Sequence, residues 1–243
     1  MTDLTKTDEL FFTRGDLDRG RIESLAGEAL SGADDGELYL EYCQSESISL
    51  DDGRIRSASF DTTQGFGLRA ITGEAAGYAH SCELSEAAIK RAGETVQAVS
   101  AGHGGTHAVA PISTNANLYT ETNPLGEVAF EDKVALLTEI DSYLRAKDPR
   151  VGQVMASISG EWQAIQIIRP DGYRAADIRP LVRLNVAVIA QDGERMESGS
   201  FGAGGRTGYG DHFAPETWQE YADEALRQAL VNLESVPAPA GEM

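Results

Sequence analysis

The sequence predicts an α+β fold in which antiparallel meander sheets pack against helices. Two segments, at about 36–81 and 151–200, show the alternation of apolar and polar residues that is typical of half-buried strands. Short turns such as Asp51-Asp52-Gly53 and Asp192-Gly193 join neighbouring strands, and turns of this length connect antiparallel strands. Helical patterns flank both segments, and strands grouped apart from helices are typical of α+β proteins.

The first β block is expected to follow one helix and to precede another. Apolar residues recur at near-helical spacing over 16–30, and Gly32 ends that pattern. Four strands are expected in this block, over residues 37–50, 54–62, 66–70 and 75–81. Ser85 is a suitable N-cap for the helix that then runs to about Val99.

The second β block is expected to lie between two further helices, over 130–147 and from Pro215 onward. Its expected strands cover residues 151–159, 161–168, 173–179, 182–188 and 194–200. The glycine-rich stretch 202–210 is expected to be a loop before the last helix. These elements predict one domain over 1–235, followed by a linker of Pro and Ala residues over 236–243.

Charge limits the classes of partner. The 243 residues include 39 acidic and 20 basic side chains, which gives a net charge of −19. A chain with this much negative charge repels nucleic acid and anionic lipid. Neither nucleic acid nor a membrane is therefore expected as a partner. The first ten residues, MTDLTKTDEL, lack the basic and apolar regions of a secretory signal, so the cytoplasm is the expected location.

Metal-ligand patterns are lacking in the sequence. Cys43 and Cys82 form no disulfide framework and have no CxxC partner. None of the four histidines lies in an HExxH or HExxxH pattern. His103 and His107 are four residues apart, but in a glycine-rich stretch they share no helix face. The chain is therefore expected to hold no zinc site, catalytic residue or cofactor of its own.

Three features are candidates for contact with a substrate or a partner. Gly204 and Gly205 could let another backbone approach closely, and Arg206 could bind a carboxylate. The structural alternatives are a tight turn for the glycines and a surface ion pair for the arginine. Arg179 and Arg183 could be buried ion-pair or interface residues, or belong to a solvated sheet face.

The third feature is the last helix, which carries an apolar stripe that begins at Trp218. An interface role is expected for this stripe, because a Trp and a Tyr at its start exceed what a local core needs.

Several motifs occur in order from about residue 33 to the end of the chain. They are Gly36–Leu40, Asp61–Glu74, Ala175–Leu184, Gly204–Arg206 with Gly208-Tyr209, and Ala229–Leu233 with Pro237–Gly241. The stretch GFGLRAITGE resembles the TldD/PmbA zinc metallopeptidases, which are also called modulators of DNA gyrase. The stretch RPLVRL resembles the TldD branch of that family.

The resemblance implies the N-terminal α+β domain of a zinc-dependent peptidase that acts on unfolded peptides. Family members are about twice as long, and their HExxxH zinc motif follows a linker similar to 236–243. The chain ends before that motif, so the resemblance assigns it no zinc ligand and no catalytic residue. It is expected to be an N-terminal portion that is inactive alone, with 236–243 as the linker to a missing metallopeptidase domain and zinc only in the full-length protein.

The leading hypothesis is the non-catalytic half of a cytoplasmic zinc metallopeptidase. Such a half would shape the chamber for peptide substrates and hold a PmbA-like partner subunit or a second copy of the chain. A stand-alone binding or regulatory module without protease activity is the alternative. A DNA-associated modulator is a third hypothesis, and the net charge of −19 disfavours direct DNA contact.

Overall fold

The computed structural model describes residues 3–14, 17–100, 118–238 and residue 241. Its strands are β1 Asp35–Asp51, β2 Arg54–Thr72, β3 Ala75–Ser81, β4 Val151–Ile168, β5 Arg174–Asp192 and β6 Arg195–Gly205. They form one six-stranded sheet with the order β3-β2-β1-β4-β5-β6, so the β3 and β6 strands lie at its edges. The α+β class with antiparallel strands is therefore confirmed.

The four longest helices lie where the periodic patterns are found, whereas the two short helices lie outside those patterns. In chain order the helices are α1 Asp3–Asp8, α2 Arg19–Ala29, α3 Glu86–Ser100, α4 Phe130–Lys147, α5 Gly210–Phe213 and α6 Pro215–Glu234, of which α1 and α5 are the short ones. A π-helical turn, Glu9–Thr13, follows α1, and a 3-10 turn, Pro124–Gly126, precedes α4. No helix in the described ranges has the length and apolar character needed to cross a bilayer.

The strands are longer and fewer than the sequence indicates. The expected strands 54–62 and 66–70 are parts of β2 alone, so the prediction of four strands in the first block is wrong. Gly160 lies inside β4 and does not separate two strands. A Cβ atom at this position would lie 2.1 Å from Tyr209 Oη, so the glycine accommodates a neighbouring side chain.

The expected glycine loop is also partly strand. Gly202, Gly204 and Gly205 belong to β6, which pairs with β5 up to the Val182–Gly205 pair. Pro180 lies beyond that last pair, so its missing N–H costs no hydrogen bond to β6. His103 and His107 lie outside the described residues, and so does part of the expected linker 236–243.

The chain divides into two compact units. Unit 1 comprises Met1–Gln44, Thr62–Glu121 and Gln163–Arg179. Unit 2 comprises Ser45–Asp61, Thr122–Trp162 and Pro180–Met243. In unit 1, the buried residues of α2 and α3 pack with those of β1 and β2. They include Ile22, Leu25, Ala26, Ile89, Val96, Leu38, Leu40, Phe66 and Leu68.

In unit 2, α4 and α6 bury one face of the sheet. Every second residue of β5 from Val182 to Ala190 points into this core. The helical residues that meet it are Leu136, Leu137, Ile140 and Leu144 of α4, and Trp218, Ala222, Ala225, Leu226, Ala229 and Leu233 of α6. The period-2 pattern of the strand and the stripes of the two helices therefore form one hydrophobic core.

A buried ion pair links three parts of unit 2. Lys133 of α4 is 1% exposed, and its ammonium group donates hydrogen bonds to Glu46 of β1 and, over 3.2 Å, to the carbonyl oxygen of Leu125. The Tyr209 hydroxyl donates to the same Glu46 carboxylate over 2.7 Å, and its ring lies 4.5 Å from the Lys133 ammonium. Burial and this hydrogen bond raise the pKa of Tyr209 well above its ordinary value.

We expect Lys133→Ala to lower the free energy of unfolding by about 3–5 kcal/mol, because it leaves the Glu46 charge without its partner. Tyr209→Phe should cost about 1.5–3 kcal/mol, the usual value of a hydrogen bond to a charged group. Urea unfolding followed by tryptophan fluorescence measures both changes. Lys90→Ala, at an exposed lysine of α3, is the control and should change stability by less than about 0.5 kcal/mol. Equal losses for the Lys90 and Lys133 variants would contradict the prediction.

Candidate functional site

The face of the unit 2 sheet opposite α4 and α6 carries small and polar side chains. It holds a cavity of about 660 Å³. The residues of this face that line the cavity are Ser49, Asp51, Arg56, Met155, Ser157, Arg183, Asn185, Ala187, Ser200 and Gly202. We call this surface the open face. The volume of the cavity falls in the range of pockets that bind ligands in other proteins.

A polar chain of side chains crosses the open face. Arg183 Nε donates a 2.7 Å hydrogen bond to Asn185 Oδ1, and Asn185 Nδ2 donates to Ser157 Oγ over 3.4 Å. Gly202 lies opposite Asn185 in the strand register. A Cβ atom at Gly202 would lie 2.3 Å from Asn185 Oδ1, so the glycine leaves room for the carboxamide. The Arg183 guanidinium is therefore oriented by a side chain that also contacts Ser157.

The structure brings four of the sequence-predicted residues together at the end of β6. Gly204 pairs with Arg183, Gly205 pairs with Val182, and Arg206 follows directly in the chain. A Cβ atom at Gly204 would lie 2.2 Å from the carbonyl oxygen of Val182. The glycine at this position is therefore a requirement of the sheet itself. Sequence analysis missed Asn185 and Ser157, although an Asn within an otherwise apolar strand pattern is the signal that could have indicated them.

The outer edge of β6 is open at Gly202 and Gly204. The Ser198 carbonyl oxygen accepts a 2.9 Å hydrogen bond from Asn232, and the Ser200 N–H donates to Gln228 over 3.4 Å. Both groups point away from β5, so by alternation the N–H and C=O groups of Gly202 and Gly204 point the same way. Within the described ranges, no group hydrogen-bonds to these outward atoms of the two glycines.

Trp218 lies on the other side of the sheet, in the core. It is 2% exposed, and its ring meets the edge of the Tyr143 ring at a centroid distance of 5.3 Å. The apolar stripe of α6 likewise packs against the sheet. Among the large apolar residues of α6, Val231 is more than half exposed. This geometry gives no support to the predicted contact role of Trp218.

Arg179 belongs to unit 1 and forms an ion pair there. Its Nε donates a 2.6 Å hydrogen bond to Asp177, and the Tyr119 hydroxyl donates to both oxygens of the same carboxylate over 2.9 and 2.8 Å. The arginine is therefore engaged inside its own unit, which agrees with the ion-pair interpretation of this residue.

An acidic group of α1 has a shifted titration in the same unit. Burial raises the pKa of Asp3 to about 6, and the hydrogen bond to Glu121 and the negative charges of Glu121 and Asp177 act in the same direction. Lys6 pairs with Glu121 and partly offsets this effect. Asp3 therefore keeps its proton to a higher pH than an ordinary aspartic acid does.

The described residues do not fit a metal centre. Across the described ranges, no three His, Cys, Asp or Glu side chains come together as a possible ligand set. Cys43 is half-buried and Cys82 is exposed, and neither forms a disulfide.

Two family models match the chain. The model described as the PmbA/TldA metallopeptidase domain 1 covers residues 36–101. The model described as the PmbA/TldA metallopeptidase central domain covers residues 123–233. Together they cover the six strands and α3 to α6, except for the first residue of β1 and the last residue of α6, and they include the whole open face.

Curated relatives match the same stretch of the chain. A metalloprotease TldD homolog of Haemophilus influenzae is 38% identical over 218 residues, which cover 86% of this chain and 45% of the relative. A second, from Buchnera aphidicola (subspecies Schizaphis graminum), is 32% identical over 216 residues, which cover 86% of this chain and 44% of the relative. The chain thus spans less than half the length of these relatives.

A Bacteroides thetaiotaomicron structure, described as a candidate modulator of DNA gyrase, shares the fold with a TM-score of 0.68 and 13% identity. The match covers 87% of this chain and 49% of that one. TldE from Thermococcus kodakarensis gives a TM-score of 0.61 and 14% identity, covering 86% of this chain and 47% of that one. At these identities the likeness shows the fold alone.

We expect Gly204→Ala to destabilise the protein by more than about 2 kcal/mol, because the new methyl group meets a backbone oxygen that cannot move without breaking the β5–β6 ladder. Gly205→Ala is the matched control, since the nearest atom to its Cβ would be a Thr207 methyl group at 3.9 Å. The control should change stability by less than about 1 kcal/mol. Urea unfolding of the two variants measures the difference, and equal stabilities would refute the steric argument.

We expect Asp3→Asn to stabilise the protein above about pH 6 and to have little effect near pH 4. A carboxyl group whose folded pKa is raised from 3.8 to about 6 stabilises the fold below its unfolded pKa, and this contribution is lost as the pH rises through the folded value. The neutral amide avoids this loss. Melting temperatures from about pH 4 to about pH 8 test the prediction, with Asp61→Asn at an exposed position as the control. A difference that does not grow with pH would contradict it.

Proposed function

Because the chain belongs to the PmbA/TldD metallopeptidase family, we propose that it forms the non-catalytic part of a cytoplasmic zinc metallopeptidase that degrades or processes unfolded peptides. The family resemblance of the sequence motifs is confirmed by the two family models and the curated relatives. In this proposal the chain shapes the substrate chamber and the subunit interface. The open face next to the open edge of β6 is the observation that carries it.

An unfolded peptide suits this surface better than a folded protein does. The outward backbone groups of Gly202 and Gly204 can pair with an extended chain, as in strand addition, and an unfolded segment has its own backbone groups available. The cavity beside the edge has a floor of small side chains such as Ser157, Ala187 and Ser200. Such a floor accepts side chains of different sizes, which suits a protein that handles many sequences. Arg206, at the end of this edge, is proposed as a further contact.

Zinc and the catalytic groups are proposed to come from outside the described residues. The relatives are named metalloproteases, and the chain matches less than half of their length. The described side chains offer no metal-ligand set. The simplest arrangement that satisfies both observations is a metal centre in the part of the protein that the relatives possess beyond the matched region.

The subunit interface is proposed to include the outer part of β2. The β3 strand pairs with β2 from Phe66 to Thr72, so residues 54–61 lie beyond it. These residues are exposed, including Phe60 at 58% and Ile55 at 38%. A long exposed edge with apolar side chains is normally covered in the native assembly. A PmbA-like subunit or a second copy of the chain is the proposed cover. Nucleic acid and membranes are not proposed as partners, because the net charge is −19.

A stand-alone binding or regulatory module without protease activity is the alternative function. The lack of a metal-ligand set among the described residues is the observation that favours it. The nucleotide sequence after the codon for Met243 distinguishes the two functions. An open frame that encodes HExxxH supports the peptidase, and a stop codon supports the module.

We expect the purified 243-residue chain to contain no stoichiometric zinc and to cleave no unstructured peptide. The reason is the absence of a ligand set in the described part of the chain. Metal analysis of the purified protein and an assay with casein fragments, with and without a chelator, measure both properties. Stoichiometric zinc together with chelator-sensitive cleavage would show that the chain is itself the catalytic part.

A further inference from the structure

We propose that Arg183 binds a carboxylate of an extended peptide that pairs with the outer edge of β6 at Gly202 and Gly204. This inference deepens the proposed function, on which it rests, and assigns a chemical preference to the open face. The ligand is a peptide segment with an acidic side chain or a carboxyl terminus near the paired residues. No catalytic step is involved.

The charge environment of Arg183 is unusual in this protein. Most arginines in the described ranges form an ion pair with Asp or Glu, as expected where acidic residues outnumber basic ones 39 to 20. Arg183 is exposed, and no carboxylate of the described residues lies within ion-pair distance of it. Its described polar contact is the hydrogen bond from Nε to Asn185, a neutral group. The two terminal nitrogens thus remain available for a carboxylate from another molecule.

Neighbouring residues fix the guanidinium before any ligand arrives. Asn185 holds Nε at 2.7 Å and is itself bonded to Ser157, while Gly202 leaves room for the Asn185 carboxamide. A guanidinium presents a planar fork of donors that matches the two oxygens of a carboxylate. Because this fork is already oriented, less conformational entropy is lost when a carboxylate binds.

The glycines of β6 leave a clear path between the open edge and Arg183. Gly204 is the direct register partner of Arg183, and Gly202 is the partner of Asn185. Neither glycine places a side chain on the open face. A peptide strand beside β6 would lie two strand spacings from β5, or about 10 Å. A glutamate and an arginine side chain that extend toward each other span this distance across the bare surface of the two glycines.

The experiment measures peptide binding by the 243-residue chain with fluorescence anisotropy. The probes are fluorescein-labelled, unstructured peptides of Ser, Thr, Val and Ala. One carries a central Glu and an amidated C-terminus, a second has Gln in place of Glu, and a third has Gln and a free C-terminal carboxylate. We expect at least one carboxylate peptide to bind at least tenfold more tightly than the amidated Gln peptide. The Glu probe and the free-terminus probe identify which carboxylate is preferred.

Variants assign the preference to Arg183. Arg183→Gln should abolish it, and Arg183→Lys should restore it only in part, because an ammonium group lacks the fork. Arg227→Gln is the matched control, since Arg227 is an exposed arginine of α6 that does not line the cavity. It should keep the full preference. Circular dichroism and melting temperature confirm that each variant is folded.

Three results would overturn the proposal. They are equal or undetectable binding of all three probes, a preference that survives Arg183→Gln, and a loss of preference in Arg227→Gln that equals the loss in Arg183→Gln. These results leave the cleavage and zinc measurements unaffected. A failure of the carboxylate preference is therefore distinguishable from a failure of the proposed peptidase function.

Discussion

The buried ion pair of Lys133 and Glu46 is the constraint on which unit 2 depends. Two opposite charges in a nearly dry position are stabilising only while both are present and hydrogen-bonded, and Tyr209 and the Leu125 carbonyl complete the set. The cluster joins α4, β1 and the segment that follows β6. It thereby holds the segment that follows Gly204, Gly205 and Arg206 in the chain.

The two faces of the unit 2 sheet have opposite chemistry because strand residues alternate. Val182, Leu184 and Val186 point into the core beneath α4 and α6. The intervening residues Arg183 and Asn185 point to the open face. The same alternation turns the outward backbone groups of β6 toward solvent at Gly202 and Gly204. The open face and the hydrophobic core thus come from one strand pattern.

Glycine has a role here that local sequence does not reveal. In the sequence, Gly160 and the cluster at 202–205 indicate turns, because glycine permits the backbone angles that turns need. In the structure, Gly160 makes room for the Tyr209 hydroxyl and Gly202 for the Asn185 carboxamide. These partners are distant in sequence or lie across the sheet, so only the tertiary structure shows them. The candidate site was predicted in part, with Arg183 and the β6 glycines but without Asn185 and Ser157.

The sequence by itself determined the α+β class, the positions of the four longest helices and the family resemblance. Periodicity, turn residues and motifs are local properties that a single chain displays without its contacts. The tertiary structure decided that the strands run through the expected breaks, that Trp218 belongs to the core, and that Arg183 faces a cavity without a carboxylate partner among the described residues. The physical reason is that burial and pairing are fixed by residues far apart in the chain, which approach one another only when the sheet forms.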